Sequence, residues 1–148
     1  MVRRLAHLCL MTDNLDRQIA FYRDGVGLPI KFKFVNAEGQ TFGVYFECGD
    51  TTFIEIFDKE LAAKQWGGDG LPLTPGNRYN HLCLEVIDIP AFCEKLRARG
   101  VDVGPITTGL DHSFQAWTAD PDGNKLEFME YTHRSWQLQP KEKAEAGS

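Results

Sequence analysis

The sequence has few cysteines, and none of them is arranged as a metal or disulfide motif. The 148 residues include Cys9, Cys48, Cys83 and Cys93, and no two of these form a CxxC pair. Disulfide frameworks and thiolate zinc sites need more cysteines or closer spacing. We therefore expect all four thiols to be reduced and buried, packing as small apolar side chains.

The sequence also lacks an excess of positive charge and a long apolar run. It has 16 basic against 21 acidic residues and a net charge of −5, so a nucleic acid partner is not expected. No apolar run approaches the roughly 20 residues that span a bilayer. The first four residues lead into a strand pattern without the apolar segment of a signal peptide. These absences predict a cytoplasmic protein with no membrane partner.

One tetrapeptide occurs twice in the chain. His7-Leu8-Cys9-Leu10 returns as His81-Leu82-Cys83-Leu84. A strand with one central glutamate follows each copy, with Glu55 lying 48 residues after His7 and Glu127 lying 46 residues after His81. A repeated unit of this size decides the architecture of the whole chain.

The two copies predict the same order of elements. In the first copy we expect a helix that is capped by Thr12 or Asp13 and ends at Gly25. In the second copy we expect a helix from Asp88 to Gly100. The expected strands are 3–11, 30–35, 42–48 and 51–57 in the first copy, and 81–86, 101–106, 114–119 and 125–131 in the second.

This order predicts an α+β fold of two tandem βαβββ modules that form a curved, partly closed sheet around a metal site. We expect one domain over residues 1–134 and a flexible tail over 135–148. Within the domain, module one is 3–57, the linker with a short helix at 59–65 is 58–79, and module two is 80–132.

Strand parity places four polar residues on the sheet faces that the helices do not cover. His7 points away from Leu8 and Leu10, which the helix covers, and the same alternation applies to Glu55, His81 and Glu127. Two imidazoles and two carboxylates suit Zn, Ni, Co, Fe or Mn. Either histidine alone could instead be a hydrogen-bonded core residue. A carboxylate in an apolar strand is costly unless it is paired or metal-bound, so the recurrence favours a metal site.

Two further motifs give the chain a family resemblance. Asp-Pro-Asp-Gly-Asn-Lys-Leu-Glu at 120–127 and Asn80-His81-Leu82 are similar to signatures of the vicinal oxygen chelate superfamily. The resemblance covers about residues 3–132. It implies that the metal ligands are His7, Glu55, His81 and Glu127, and a glutamate at position 55 resembles glyoxalase I.

The resemblance implies a divalent-metal-dependent lyase or isomerase. Such an enzyme acts on a small substrate with vicinal oxygens through an enediolate. The resemblance further implies that Glu127 is the base and that Glu55 is its partner. It also implies a homodimer, whose site lies within one chain or is shared between chains. The alternatives are a non-haem iron extradiol-type dioxygenase and a metal-free drug-binding resistance protein.

Two positions depart from the glyoxalase I pattern. Glyoxalase I enzymes typically carry arginine and asparagine, which contact glutathione, where this chain has Met11 and Lys59. The departures argue against glutathione as a cosubstrate. Trp66 and Trp117 are candidates for the pocket wall, although core packing explains Trp117 equally well.

Overall fold

A computed structural model describes residues 3–68, 72–74 and 79–140. The chain divides into two compact units, 1–76 and 77–148. Among the helices of the described ranges, none is both long enough and apolar enough to cross a membrane.

The first unit is a four-stranded mixed sheet with one long helical segment on one face. Its elements are β1 His7–Thr12, α1 Leu15–Ile19 continued by a π-helix Ala20–Val26, β2 Ile30–Val35, β3 Thr41–Glu47, β4 Phe53–Asp58 and α2 Lys59–Trp66. The strand order is β1-β4-β3-β2. The first and last strands, β1 and β4, pair in parallel, and the other pairs are antiparallel.

The second unit repeats this topology. Its elements are β5 His81–Glu85, α3 Ile89–Ala98, β6 Thr107–Thr108, β7 Phe114–Ala119, β8 Lys125–Glu130 and a 3₁₀ turn Trp136–Leu138. The strand order is β5-β8-β7-β6, with β5 parallel to β8. The prediction of two βαβββ modules in an α+β fold is confirmed. The described residues form two separate mixed sheets and no closed barrel.

The helical segment of each unit covers the apolar face of its sheet. In the first unit Ile54 and Ile56 of β4 are buried, and the Tyr22 ring packs 5.6 Å from the Phe46 ring. In the second unit Phe92 of α3 packs 4.9 Å from Phe128 of β8. The remaining buried residues of the second face are Ile89, Cys93, Leu96, Ala116 and Leu126.

The first helix differs from the prediction at both ends. Its N-cap is Asn14, whose side chain accepts from the Arg17 N–H at 3.0 Å, rather than Thr12 or Asp13. Its end is Gly27, which has φ of 89°, rather than Gly25. The left-handed backbone at that position is one that glycine adopts without strain.

The predicted strand over 101–106 is wrong. The sheet resumes only at the two-residue β6, although Val101 and Val103 are both buried. Pro105 lacks an N–H group and cannot donate to a strand ladder. The apolar signal of this segment therefore reflects the burial of the two valines, and a single backbone bond from Gly104 to the Trp117 carbonyl at 2.9 Å stands in place of a strand ladder. The other strands differ from their predicted bounds mainly at the ends, most of all β1, which begins at His7 and not at residue 3.

The cysteines are free, as predicted, but only one of them is buried. Cys93 is buried, Cys48 is partly buried, and Cys9 and Cys83 are exposed. The expectation of four buried thiols is therefore wrong for Cys9 and Cys83. Both lie on the sheet face that the helices leave uncovered, because they alternate with the apolar leucines of β1 and β5.

The first part of the expected tail has defined contacts. Ser135 is fully buried, and its hydroxyl accepts from the Ser113 hydroxyl at 2.8 Å. The Trp136 N–H donates to the Asp111 carbonyl at 3.0 Å. Residues 141–148, the rest of that segment, lie outside the described residues.

Gly43 provides a test of the packing in the first unit. A Cβ at this position would lie 2.3 Å from two atoms of the Phe57 ring, and Phe57 packs with Phe42 and Ala62. Gly43→Ala should lower the free energy of unfolding by about 1–3 kcal/mol because the ring must move. Urea unfolding measures the change.

The matched control is Gly104→Ala, since a Cβ there would meet only the Trp117 carbonyl at 3.5 Å. Equal stability of the Gly43→Ala and wild-type proteins would contradict the packing described here.

Candidate active site

His7 and Glu55 face each other on neighbouring parallel strands. The register of β1 and β4 pairs Cys9 with Glu55, and His7, two residues earlier, lies on the same face of the sheet. The His7 Nε2 atom is 3.6 Å from the Glu55 Oε2 atom. The Glu55 side chain is only 11% exposed, whereas that of His7 is 44% exposed. The pair thus joins an accessible imidazole to a carboxylate that is largely removed from water.

Two further residues lie beside Glu55 on the neighbouring strands. The register pairs Cys9 of β1 and Tyr45 of β3 with Glu55 of β4. Desolvation, followed by the hydrogen bond and charge of Glu55, raises the pKa of Cys9 to about 12. The same causes raise the pKa of Tyr45. Both groups therefore stay protonated at neutral pH beside the Glu55 carboxylate.

The second unit forms the equivalent pair. The register of β5 and β8 pairs Cys83 with Glu127, and the His81 Nε2 atom lies 3.1 Å from the Glu127 Oε2 atom. The Glu127 side chain is 6% exposed. Desolvation, with the charge and hydrogen bond of Glu127, raises the pKa of Cys83 to about 12. Each predicted His and Glu is therefore brought to its partner within its own unit.

Asn80 determines how the His81 ring presents its nitrogens. The Asn80 Oδ1 atom lies 2.8 Å from His81 Nδ1, and an amide oxygen can only accept, so Nδ1 carries the proton. In the neutral ring Nε2 is then an acceptor that faces the carboxylate of Glu127. The Nε2 atom and the carboxylate oxygen are both hydrogen-bond acceptors. Two acceptors this close repel each other unless a second ring proton or a cation lies beside them. The donor chemistry therefore fits a metal ion.

Each unit taken alone supplies two candidate metal ligands, one histidine and one glutamate, rather than three. Among the described residues, no group of three or more His, Cys, Asp or Glu side chains is arranged to hold a metal ion.

A pocket of about 330 Å³ opens at the end of β1 and the start of α2. Met11, Trp66 and Leu73 supply its apolar wall, and Lys59 lies at its edge. The Lys59 Nζ atom is 2.8 Å from Asp13 Oδ1 and 3.8 Å from Glu60 Oε1. Met11 is on the same strand face as His7, since the two are four residues apart on β1. Trp66 lines this pocket, and its place in the wall of the active site stays a prediction, because none of the four predicted ligands is among the lining residues.

Trp117 packs against His81, with 4.8 Å between the ring centroids. It also lines a second pocket, of about 500 Å³, together with Asn80, Thr118 and Lys125. Trp117 is therefore a wall residue of the second unit and lies beside the predicted ligand.

Tyr45 and Asn80 are the site residues that the sequence reasoning missed. Asn80 was noted as part of a motif and not as a partner of the His81 ring. Tyr45 could have been found by counting back from the turn at 48–52, which fixes the pairing of β3 with β4 and puts residue 45 opposite Glu55.

The comparisons with known proteins agree with this architecture. Residues 4–128 match the family model for the Glyoxalase/Bleomycin resistance protein/Dioxygenase superfamily. The chain is 33% identical over 136 residues to a lactoylglutathione lyase of Haemophilus influenzae, covering 86% of this chain and 92% of that protein. It is 30% identical to the lactoylglutathione lyase of Salmonella typhimurium, covering 86% and 92% respectively.

Solved structures show the same fold. A lactoylglutathione lyase from Agrobacterium tumefaciens aligns with a TM-score of 0.66 and 25% identity, covering 91% of this chain and 97% of that one. A glyoxalase/bleomycin resistance protein/dioxygenase from Nocardioides aligns with a TM-score of 0.68 and 23% identity, covering 90% and 87%. The predicted glyoxalase-like enzyme class is confirmed by curated relatives that are lyases, and the chain belongs to the glyoxalase/bleomycin resistance protein/dioxygenase superfamily.

Proposed function

We propose that this protein is a divalent-metal-dependent lyase or isomerase that acts on a small substrate with adjacent oxygen atoms. One observation carries the proposal: two His–Glu pairs lie at equivalent strand positions, with Nε2–Oε2 distances of 3.6 and 3.1 Å. Relatives about 30% identical to the chain are lyases, which supports the reaction class.

His7, Glu55, His81 and Glu127 are the residues that would hold the metal. Their nitrogen and oxygen donors suit Zn, Ni, Co, Fe or Mn. A bound divalent ion would polarise the substrate oxygens and stabilise the negative charge left after proton removal. The Asn80 contact directs the Nε2 lone pair of His81 toward such an ion.

The two glutamates would supply the proton transfer. We assign Glu127 as the base and Glu55 as its partner, as the resemblance to glyoxalase I implies. Each carboxylate is largely shielded from water, so bulk water has little access to a proton that is held there.

The substrate of this protein is proposed to differ from the one named in its relatives. Most of the described residues that line the pocket beside Met11 are apolar. Lys59 is the one cation among them, and it is paired with Asp13 and lies near Glu60. The charge of Asp58 also acts on Lys59. Three carboxylates around one ammonium group disfavour a peptide with two carboxylates, such as glutathione. We propose that an apolar substituent of the substrate binds there.

The proposed assembly is a cytoplasmic homodimer. Leu5, Ile87 and Leu110 are 71%, 92% and 93% exposed in the chain. Burial of such side chains against a second copy would remove apolar surface from water.

Metal binding is the first test of the proposal. Calorimetry with Ni²⁺ or Zn²⁺ should show one ion bound per two His–Glu pairs, because four ligands are needed to complete the site. His7→Ala and His81→Ala should each abolish stoichiometric binding. His133→Ala, which removes an exposed imidazole elsewhere, is the control. Wild-type protein that binds none of the five candidate metals would refute the function.

The role of Glu127 is tested with Glu127→Gln. The variant should lose about 10²–10⁴ in rate, the typical contribution of a general base, because the amide cannot take the proton. NMR in D₂O follows exchange of the α-hydrogen of a hydroxy ketone that the wild-type protein exchanges. Metal content is measured in parallel, and Glu94→Gln on the exposed face of α3 is the control. Wild-type exchange by metal-loaded Glu127→Gln would exclude Glu127 as the base.

The substrate class is tested by binding, with Trp66 as the fluorescent reporter in the pocket. Glutathione should give no saturable change with the wild-type protein, whereas 2-hydroxyacetophenone should. The double variant Met11→Arg with Lys59→Asn should gain glutathione binding, because it restores the residue types of glyoxalase I and removes the partner of Asp13. Saturable binding of glutathione to the wild-type protein would overturn the proposed substrate class.

A further inference from the structure

The pocket of about 500 Å³ in the second unit lies beside the His–Glu pair of that unit. The described residues that line it are Asn80, Trp117, Thr118 and Lys125. Trp117 packs on the His81 ring with 4.8 Å between the ring centroids, so the pocket opens next to a proposed metal ligand. A group attached to the reacting part of a substrate would therefore lie in this pocket.

Lys125 is the one cation among the described residues that line this pocket. The register of β5 and β8 pairs it with His81, and it precedes Glu127 by two residues. Its side chain therefore lies on the same uncovered sheet face as both of these residues. Lys125 is exposed, and within residues 3–68, 72–74 and 79–140 no carboxylate forms an ion pair with it. Its ammonium group thus has no anionic partner in the part of the chain that the structure describes.

Asn80 brings a second donor to the same pocket. Its Oδ1 atom accepts from the Nδ1–H of His81 at 2.8 Å, which leaves the two N–H groups of the amide as donors. These N–H groups have no acceptor among the described residues. An ammonium group and an amide NH₂ group that line one pocket suit an oxygen anion, because hydrogen bonds to a charged oxygen are stronger than neutral ones.

The corresponding position of the first unit is aromatic. The register of β1 and β4 pairs His7 with Phe53, whereas that of β5 and β8 pairs His81 with Lys125. The Phe53 ring lies 5.6 Å from the ring of Tyr45. Both strands form the same parallel ladder, so the fold itself requires neither a phenylalanine nor a lysine at this position. The difference between the two copies is therefore one of recognition chemistry: an apolar neighbour for one histidine and a cationic neighbour for the other.

We propose that Lys125 and Asn80 bind a carboxylate of the substrate, and that Trp117 contacts the planar group that carries this carboxylate. The inference rests on the proposed function, because it names the substrate class of the same site: a small aromatic acid whose carboxylate is separate from the two adjacent oxygens. A flat apolar group packs well on an indole ring. A singly charged anion matches the one lysine, whereas a phosphate dianion would leave excess negative charge near Glu127.

The anion site is tested with benzoate and benzamide, which have nearly the same shape and differ in charge. Neither compound has oxygens on adjacent carbons, and both are titrated into the full chain with a chelator present, so metal binding does not enter the measurement. NMR shift changes give the two Kd values, and their ratio measures the preference for the charged compound. In Lys125→Met this preference should fall by about tenfold, the effect of losing one hydrogen bond between charged groups.

Three controls separate the charge of Lys125 from its packing. Lys125→Arg keeps a cation and should retain the preference for benzoate. Lys95→Met, which removes an exposed ammonium group from α3, is the matched control and should bind both compounds as the wild type does. Added NaCl should weaken the binding of benzoate and leave that of benzamide unchanged, because salt screens an exposed charge pair. The shift changes should include the indole N–H of Trp117 and the side-chain amide of Asn80.

The outcomes distinguish the inference from the proposed function. A Kd ratio in Lys125→Met equal to that of the wild type would overturn the inference, and so would the absence of saturable benzoate binding to the wild-type protein. Shift changes confined to residues outside the pocket would overturn it as well. Wild-type protein that binds none of the five candidate metals, but prefers benzoate in a manner that depends on Lys125, would contradict the proposed function and leave the anion site established.

Discussion

Parallel pairing of the first and last strand of each unit is the constraint on which the site depends. It brings together residues that lie 48 and 46 positions apart in the sequence, because β1 lies beside β4 and β5 lies beside β8. The register puts Cys9 beside Glu55 and Cys83 beside Glu127. A shift of one residue would turn both carboxylates into the apolar face under the helices. The same helices that bury the opposite face therefore hold the register that the chemistry needs.

The folding of each unit places a carboxylate where water has little access. Such a group is unfavourable unless hydrogen bonds or a cation compensate for lost hydration. Neutral groups lie beside both glutamates in the register, namely a thiol in each unit and a phenol in the first. A cation would compensate for the lost hydration more fully, and this is the physical link between the fold and the proposed metal chemistry.

The two units share a backbone plan but have different neighbours around the His–Glu pair. Position 80 is an asparagine that orients the His81 ring, whereas the matching position in the first unit is Ala6. Tyr45 and Trp117 differ in the same manner across the glutamates. The neighbours of the two His–Glu pairs therefore differ in chemistry, although the strands that carry the pairs correspond.

The sequence by itself determined the repeat, the order of elements in each module and the parity that puts His7, Glu55, His81 and Glu127 on uncovered strand faces. These features depend on local alternation and turn residues, which a single chain displays directly. The prediction from the sequence failed over 101–106. The valines of this segment are buried, but Pro105 cannot donate to a strand ladder. Only the tertiary structure decided which side chains lie across from the glutamates. Strand register is set by contacts distant in sequence, so the neighbours of Glu55 and the orientation of His81 emerge only when the sheets are assembled.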